Sequence, residues 1–583
     1  RGLGDVYKRQ IIIFNISFAG EKQMDYLKII LIIIAAVAAI VIIALIIAKS
    51  SEKNEYLQLK VNYGRLKKYE FTYEEYESIS HFFKNTLKDG EPYIDDITWN
   101  DLDMDKIFMM INSTNSSVGR DYLYKILRVP VTNEEELKER DRLVEYFDSH
   151  SNERTLIMQC FTKIGFTRKI SITDHVDRLL QLKPSSNFNH FVNLLCIIAA
   201  VFFTVFVDAT VGILLILVTV GISIVSYYKT KARIDSFFVC IRHIVSMVNA
   251  SRRITSLNIA ELEPYNTELK KYITKFSRIT RNSWLLVSGK GTSGNISEIL
   301  MEYVRMFTHV DLIRFNNMLR QLDNSKEEIY DFMGVLGKIE AMISIANFRH
   351  LLPYYTKPEF VKSSKMEIKD LYHLSIKEPV ANSIYTDGPV LLTGSNASGK
   401  STFLKSVAIN AILAQSVYTC PCELYRAGFY QVMSSMALSD DLDSGESYYI
   451  VEIKSLKRIV DAAAVSNVRV LCFIDEVLRG TNTVERIAAS TEILKNLAEN
   501  NVMCFAATHD IELTDLLSEH YDNYHFSEEV TDGNVIFSYI IQKGKATSRN
   551  AIKLLEIIGY DKNIINKAEQ RAERFIETGV WRN

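Results

Sequence analysis

The sequence has little net charge and no repeated cysteine spacing. Lysine plus arginine number 68 and aspartate plus glutamate 70, which excludes a global attraction to nucleic acid and leaves only local patches for an anionic partner. The seven cysteines are scattered, and even the closest pair, Cys420 and Cys422, belongs to no repeated metal-ligand spacing. We therefore expect reduced, structural thiols of a cytosolic domain. At 583 residues the chain is too long for one core, which predicts two or three domains.

The N-terminal region begins with ten residues that fit nothing in the rest of the chain. We interpret residues 1–23 as an artefact or extension and expect the natural start at or near Met24. Residues 29–48 contain no charged side chain and, at about 20 residues or roughly 30 Å of helix, are long enough to cross a bilayer. A signal peptide is disfavoured because the run is too long and no clear small-residue cleavage site follows. The basic residues after the run favour a cytoplasmic C-terminal side: Lys49, Lys53, Lys60, Arg65, Lys67 and Lys68.

A second apolar block covers residues 191–228 and is interrupted mainly by Asp208. Division at Asp208 gives segments of about 17 and 20 residues, which predicts a membrane hairpin with this aspartate at the outer turn. A buried helical hairpin in a soluble core is the alternative. Together the runs predict a multi-pass protein of the cell membrane, with about three transmembrane helices and its bulk in the cytoplasm. The flanking positive residues place both ends of the hairpin inside: Lys183, Lys229, Lys231 and Arg233.

The regions around the hairpin show the helical pattern. Apolar residues recur at three- and four-residue spacing from about 101 to 165 and from 231 to 350, with few glycines or prolines. Residues 233–290 are also locally basic, which suits phosphates or anionic lipid headgroups. A solvated helix face near the membrane is the simpler interpretation of that charge.

A glycine-rich segment changes the pattern near residue 390. Residues 394–401 read Gly-Ser-Asn-Ala-Ser-Gly-Lys-Ser, between a short apolar run, 390–392, and an amphipathic helical pattern, 402–414. Strand, loop and helix are the context that a phosphate-binding loop requires. The N-terminus of the following helix adds positive potential. The segment therefore predicts a P-loop that binds a nucleotide.

The individual residues of this loop suit that chemistry. Gly394 and Gly399 allow the backbone to curl so that its N–H groups point at phosphate oxygens. Lys400 would supply a positive charge to the β- and γ-phosphates. Ser401 would place its hydroxyl on Mg²⁺.

Two later apolar runs end in residues suited to the same site. Residues 468–474 are followed by Asp475 and Glu476. An aspartate at the tip of a buried strand can hold the Mg²⁺ hydration shell, and the adjacent glutamate can polarise the attacking water. Residues 502–507 lead to His509, which is suited to sense the γ-phosphate.

Ser447 precedes a helical stretch, residues 448–460, and is therefore expected near a helix N-terminus. A serine in this position usually caps its own helix. A helix N-terminus that carries a serine is also a good anion site, so Ser447 is a candidate to complete the phosphate shell of a second subunit.

The order of these elements resembles the MutS family of ATPases, strongly over residues 366–570 and more weakly over 101–147. Asn382 falls where that family contacts the adenine. Residues 327–354 look like the lever segment that returns to the ATPase. The motifs that carry the resemblance are the glycine loop with Asn396, Leu413-Ala414-Gln415 with Pro421, Gly445-Glu446-Ser447 with Glu452, residues 475–483, Ala507-Thr508-His509, Gly544 with Ser548 and, in the weaker part, Gly119-Arg120 and Arg140.

The resemblance implies an α/β P-loop domain of the ABC type, preceded by a mainly α-helical MutS-like core. It implies ATP and Mg²⁺ as cofactors, a homodimer with composite sites, and a family tie to DNA binding. Glu476, His509 and Lys400 would be catalytic, whereas Ser401 and Asp475 would hold the metal. The residues implied in nucleotide binding are Asn382, Gly394, Ser395, Asn396, Ala397, Ser398, Gly399, Lys400, Ser401, Thr402 and Gln415 of one chain and Ser447 of the other.

The sequence also departs from the family pattern. Before residue 101 there is no room for separate mismatch-reading and connector domains, and no Phe-x-Glu is placed to serve as a mismatch wedge. The hairpin stands where the family has its levers and DNA clamp, and Glu485-Arg486 replaces the more usual sequence after the Walker B loop. The expected divisions are 1–23 (artefact or extension), 24–60 (membrane anchor), 61–185 (helical core, first part), 186–230 (transmembrane hairpin), 231–365 (lever and second part of the core) and 366–583 (ATPase domain).

Three functions fit these observations. The leading one is a membrane-anchored MutS-like ATPase that does not perform mismatch repair, in which Mg-dependent ATP hydrolysis moves helical levers and mismatched or branched DNA is a candidate ligand. The second is a DNA-binding module at the membrane that uses residues 233–290. The third is an ABC-type NTPase with a role in signalling, scaffolding or transport. Transport is disfavoured because the sequence has no Leu-Ser-Gly-Gly-Gln signature.

Overall fold

The computed structural model forms two compact units, residues 1–63 and residues 64–583. In the first unit it describes residues 42–43 and 46–63, in which Ile42 and Ile46 are exposed side chains of a helix. Most of the first predicted membrane run therefore lies outside the described residues. In the second unit the described residues are 64–67, 71–167, 171–182, 185–280, 296–322, 325–395, 398–436, 448–478, 481–500, 502–531, 534–546, 552, 555, 558–578 and 581.

Helices dominate the second unit as far as residue 349. Several begin at side-chain caps that the sequence supplies, such as Thr72 and Glu75, which bond reciprocally to each other's backbone N–H. The helices are α1 (Tyr73–Thr86), α2 (Asp96–Asp101), α3 (Met104–Ile111), α4 (Ser117–Arg128), α5 (Glu134–Ser149), α6 (Ser151–Ile164), α7 (Ile172–Gln181), α8 (Phe188–Phe206), α9 (Ala209–Ser256), a 3₁₀ turn (Ala260–Leu262), α10 (Glu263–Lys275), α11 (Ser277–Thr280), α12 (Ile296–Thr308), α13 (Val310–Leu322) and α14 (Lys326–Arg349).

Helix α14 lies at the centre of this helical part. It is buried over most of residues 329–349 and packs against α4 and α5. Two glycines permit the approach of α4: a Cβ on Gly119 would lie 2.8 Å from the Cβ of Glu340, and one on Gly337 would lie 2.5 Å from the Cβ of Tyr122. A close-packed interior cannot accommodate such contacts, so both positions require glycine.

Helices α8 and α9 form the hairpin, and the chain reverses at Asp208 as the sequence predicts. The Asp208 carboxylate caps α9 by accepting hydrogen bonds from the backbone N–H groups of Thr210 and Val211, both at 2.9 Å. The segments Phe188–Phe206 and Ala209–Asp235 are long and apolar enough to cross a membrane, and only 11% of the most apolar 18-residue stretch of each is buried. Length and composition are the only grounds for a membrane assignment, which stays a prediction.

A polar cluster at the foot of the hairpin joins it to the start of α13 and to the residue that precedes this helix. The Tyr227 hydroxyl donates to Asp311 Oδ2 at 2.8 Å, and Nδ1 of His190 lies 2.9 Å from Nδ1 of His309. All four side chains are buried. Since buried polar groups need their partners, these bonds fix the hairpin to the helical part at a defined position.

Residues after 356 form two mixed sheets with helices packed on them. The larger sheet has the order β10-β9-β4-β8-β7-β6, in which β10 is antiparallel to β9 and the other neighbours are parallel. The smaller sheet has the order β1-β5-β2-β3. The strands are β1 (Glu359–Phe360), β2 (Met366–Leu371), β3 (Asn382–Thr386), β4 (Val390–Thr393), β5 (Leu424–Ala427), β6 (Gln431–Ser435), β7 (Val470–Asp475), β8 (Met503–Thr508), β9 (Asp522–Thr531) and β10 (Asn534–Lys543), and the helices are α15 (Lys400–Ser416), α16 (Tyr448–Val465), α17 (Thr483–Glu499), α18 (Glu512–Leu516) and α19 (Lys562–Thr578).

The helical part and the sheets are joined by buried hydrogen bonds. Arg349, at the end of α14, donates from Nε to Thr419 Oγ1 at 2.9 Å. Asp101, at the end of α2, accepts from Ser434 Oγ on β6 at 2.6 Å. Bonds to charged partners in a buried setting hold the two parts together more firmly than exposed pairs do. The predicted combination of a mainly helical part with an α/β part is confirmed.

The order of the parallel strands determines where the predicted site forms. Strand β8 lies between β4 and β7, with Thr393 opposite Thr508 and Asp475 opposite Ala507. The carboxyl ends of parallel neighbours meet at one edge of a sheet. The segments that follow these three strands therefore converge at that edge.

Candidate active site

A cavity of about 650 Å³ opens at this edge of the larger sheet. Its volume is within the range of small-molecule pockets, roughly 300–1,000 Å³. One wall consists of the glycine loop and the ends of β7 and β8. A second wall comes from the segment between β2 and β3 together with Phe526 and Tyr539, which lie beside the glycine loop. The lining includes these predicted site residues: Asn382, Ser395, Ser398, Gly399, Lys400, Ser401, Thr402, Asp475, Glu476 and His509.

The glycine loop adopts backbone angles that only glycine takes easily. Gly394 has φ 148° and Gly399 has φ 104°. A Cβ on Gly394 would lie 3.0 Å from Ser398 Oγ and 3.1 Å from the carbonyl oxygen of Phe526. Asn396 and Ala397, which complete the predicted loop, lie outside the described residues.

Ser398 has a hydroxyl with an unmet hydrogen-bonding capacity. Its side chain is buried, and among the described residues its Oγ has no hydrogen-bond partner. A buried polar atom without a partner costs about 1–3 kcal/mol, so it needs a reason. An oxygen atom of a ligand bound at the glycine loop would supply the missing hydrogen-bond partner.

Lys400 is held against the loop that it follows. It is the first residue of α15, and its Nζ donates to the carbonyl oxygens of Gly394 and Ser395, each at 2.8 Å. The ammonium group therefore lies beside the loop backbone at the helix N-terminus. Two sources of positive potential, the lysine and the helix end, coincide there.

Ser401 and Asp475 form the metal-binding half of the predicted site. The Ser401 hydroxyl donates to Asp475 Oδ2, which joins the start of α15 to the end of β7. Among the described residues, no group of three or more His, Cys, Asp or Glu side chains comes together to hold a metal. Because Mg²⁺ is usually bound through one or two protein oxygens plus phosphates and water, the Ser401–Asp475 pair fits that ion.

Glu476 and His509 make a direct side-chain contact across the neighbouring strands. His509 Nε2 lies 2.6 Å from Glu476 Oε1, and both side chains are partly exposed to the cavity. Glu476 has a φ of 63°, a left-handed conformation that is rare for residues other than glycine. Its backbone N–H still bonds to the carbonyl oxygen of Ala507 at 2.9 Å. Strained residues of this kind concentrate at functional sites.

Two predicted nucleotide contacts have other partners in the structure. Asn382 lines the cavity, but its amide donates to the carbonyl oxygen of Tyr539 at 2.9 Å and accepts from the N–H of Ile541 at 2.7 Å. Gln415 is fully buried, and its amide bonds in both directions to the backbone of Tyr430, each at 2.7 Å. It is not part of the described cavity lining, and Ser447 lies outside the described residues.

The second wall was not predicted from the sequence. It includes His373, Ile376, Val380 and Tyr539, of which Ile376, Val380 and Tyr539 are exposed. Burial lowers the pKa of His373, and the nearby positive charge of Lys405 acts in the same direction, so the imidazole stays neutral near pH 7. Exposed apolar side chains in a loop before Asn382 are the only signal that the sequence offers for this wall.

Comparisons with known proteins identify one family. A family model described as MutS domain V matches residues 390–576. The DNA mismatch repair protein MutS of Thermotoga petrophila is 29% identical over 280 residues, which cover 46% of this chain and 35% of that protein. MutS protein homolog 4 of Homo sapiens is 29% identical over 312 residues, which cover 47% of this chain and 32% of that protein. The chain thus spans about a third of the length of the curated relatives that it matches.

Proposed function

Because the chain belongs to the MutS family, we propose that its cavity binds ATP with Mg²⁺ and hydrolyses the terminal phosphate. The observation that carries this proposal is the convergence of the glycine loop, the Ser401–Asp475 pair and the Glu476–His509 pair at one sheet edge. The α/β part would then be a P-loop domain of the ABC type. We propose that the chain as a whole is an ATPase in which hydrolysis moves the helical part.

The residues of the loop would hold the triphosphate. Lys400 would exchange its bonds to the two loop carbonyls for phosphate oxygens, and Ser398 would gain the partner that its buried hydroxyl lacks. Backbone N–H groups of the loop and of the α15 N-terminus would add further donors. When bound, Mg²⁺ would neutralise charge that develops on the phosphates, with Ser401 and Asp475 beside it.

Glu476 and His509 are the candidates for the hydrolytic step. Glu476 would accept a hydrogen bond from the attacking water and polarise it, and His509 would hold the carboxylate in place and contact the γ-phosphate. The direct contact of the two side chains means that movement of one moves the other. Hydrolysis then depends on both, whereas nucleotide binding depends mainly on Lys400 and the loop.

The proposal includes a homodimer with composite sites, in which Ser447 of one chain would reach the nucleotide of the other. This part rests on the sequence pattern and the family relationship. Two buried hydrogen bonds support a mechanical role for the helical part: Arg349–Thr419 and Asp101–Ser434. These bonds would transmit movement of the sheet edge to α14 and α2.

We further propose that the hairpin anchors the chain in the cell membrane with the ATPase part in the cytoplasm. The support is the exposed apolar surface of two helices of sufficient length, with basic residues such as Lys229 and Arg233 near the end of the second segment. The domain divisions expected from the sequence stay predictions.

DNA is the candidate ligand of the helical part, because the relatives include proteins named for DNA mismatch repair. Duplex, mismatched and branched DNA should be compared at low and high salt, with and without ATP. Binding that weakens with salt and changes with ATP supports a DNA-coupled ATPase. Absence of binding at low salt would leave the alternative of an ABC-type NTPase with a role in signalling, scaffolding or transport.

The experiment that tests the proposed activity uses the full chain in detergent. Phosphate release should require Mg²⁺ and should be lost in Lys400→Ala. The matched control is Lys138→Ala. Lys138 is an exposed lysine of α5 that pairs with Glu134, and both residues are far along the chain from those that line the cavity. Equal turnover by Lys400→Ala and the wild type would contradict the assignment of the site.

A further inference from the structure

An ion pair that the predicted site does not include lies directly beside it. Arg486, in the first turn of α17, donates from Nε to Asp510 Oδ2 at 2.9 Å and from Nη2 to Asp510 Oδ1 at 2.6 Å. Such a two-bond contact fixes both the distance and the plane of the two groups, unlike the single bond of a lysine. The two side chains are 25% and 14% exposed, so the pair is only partly open to solvent.

Asp510 is the residue after His509, and it is held from two sides. Its carboxylate is bound by Arg486, and its backbone N–H donates to Thr508 Oγ1 at 3.0 Å. His509 therefore lies between two residues that are tied to each other and to α17. Because the imidazole is attached to this short restrained segment, Arg486 limits where His509 can meet Glu476.

The charge of Arg486 also acts on the neighbouring pair. The hydrogen bonds to Asp510 raise the pKa of the Arg486 guanidinium above its ordinary value, and the negative charge of Glu476 acts in the same direction. Arg486 is thus close enough to Glu476 for their charges to interact. A fixed cation and a fixed anion border the Glu476–His509 pair on the side of α17.

We infer that Arg486 is a positioning residue for the hydrolytic step: by clamping Asp510, it holds His509 and Glu476 in register at the cavity. This inference rests on the proposed function. Arg486 and Asp510 are not part of the described cavity lining, so they act through the neighbouring pair and not on the nucleotide. A clamp of this kind sets the rate of hydrolysis and leaves nucleotide affinity nearly unchanged.

A purely structural ion pair would behave differently. Partly exposed ion pairs contribute little to stability, so removal of an ordinary one changes neither the melting temperature nor the rate by much. A small displacement of reacting groups, in contrast, lowers a catalytic rate by up to about 100-fold. Rate and stability therefore separate the two roles.

The test uses three variants of the full chain in detergent. Two are the single variants Arg486→Ala and Arg486→Lys. The third is a double variant that carries both Arg486→Asp and Asp510→Arg and so reverses the two charges. We expect kcat to fall about 10- to 100-fold in Arg486→Ala. Arg486→Lys should keep the charge, lose the two-bond geometry and lie between the wild type and Arg486→Ala. The charge reversal should recover most of kcat. The Kd for a fluorescent ATP analogue should stay within about twofold in all variants.

Lys457→Ala is the matched control, because Lys457 forms an exposed pair with Asp461 on α16. If Arg486→Ala keeps the kcat of an active wild type, the inference is wrong and the proposed function stands. The inference is equally wrong if kcat falls together with the melting temperature and neither Arg486→Lys nor the charge reversal recovers it. Absence of hydrolysis by the wild type would instead overturn the proposed function, and the inference with it.

Discussion

His509 Nε2 and Glu476 Oε1 lie 2.6 Å apart, although the two residues follow different strands. The contact exists because β7 and β8 are parallel neighbours, with Asp475 opposite Ala507. The backbone of Glu476 is left-handed at this point, with a φ of 63°. A strained residue that meets a histidine in a cavity is the arrangement expected where hydrolysis takes place.

Ser398→Ala should separate ligand binding from stability. Because the buried Ser398 hydroxyl has no partner among the described residues, its removal should leave the melting temperature of the ligand-free protein unchanged or slightly raised. Loss of one phosphate contact should weaken ATP binding by roughly 5- to 10-fold, which corresponds to about 1–1.5 kcal/mol. Differential scanning fluorimetry and fluorescent-nucleotide titration measure both effects. A lower melting temperature with unchanged affinity would show that the hydroxyl has a structural partner instead.

Gln415→Leu should have the opposite effect. Leucine removes both hydrogen bonds to the Tyr430 backbone and leaves a buried N–H and carbonyl unpaired. Unfolding free energy should fall by about 1–3 kcal/mol, while the Kd for ATP changes little. Urea denaturation and nucleotide titration test this pair of outcomes. A large rise in Kd without loss of stability would instead support the nucleotide contact that the family resemblance implies for Gln415.

Glu340→Gln should remove a dependence of stability on pH. Burial raises the pKa of Glu340 from 4.5 to about 7, although hydrogen bonds from Ser116 and Asn115 oppose the shift. The folded state therefore binds the proton more tightly than the unfolded state does. The stability gained from this proton is complete below about pH 4.5 and is lost as the pH rises through about 7. Glutamine mimics the protonated carboxyl, and the variant should hold its melting temperature between pH 5 and 8 while the wild type loses stability.

Glu327→Gln is the control for that measurement, because Glu327 lies exposed in the first turn of the same helix. Its curve of melting temperature against pH should keep the shape of the wild-type curve. Parallel curves for Glu340→Gln and the wild type would mean that Glu340 does not titrate in this range.

The sequence could predict the parts of the site that depend on local pattern. Gly394 and Gly399 are required by backbone angles, and a charged residue that interrupts an apolar run, Asp208, marks the turn of the hairpin. Asp475 and Glu476 could be placed because Asp475 is the last residue of a buried strand and Glu476 follows it. In each case the cause of the structure lies within a few residues of the signal.

The remaining parts depend on contacts between distant segments. In the second wall, Asn382 on β3 bonds to the backbone of β10, the strand that carries Tyr539 at the cavity. Gln415 finds its partner in Tyr430 only after α15 has packed beside β6. Arg486 and Asp510 meet because α17 packs on β8. No local pattern encodes these pairings, since each depends on which strands and helices become neighbours.

The central claim, that Glu476 drives ATP hydrolysis at this sheet edge, is tested most directly by Glu476→Gln in the full chain. Glutamine keeps the size of the side chain but removes the negative charge that polarises water. We predict that kcat falls at least about 100-fold, that ATP still binds, and that the variant accumulates as a nucleotide-bound dimer in light scattering. Turnover at the wild-type rate would contradict the account.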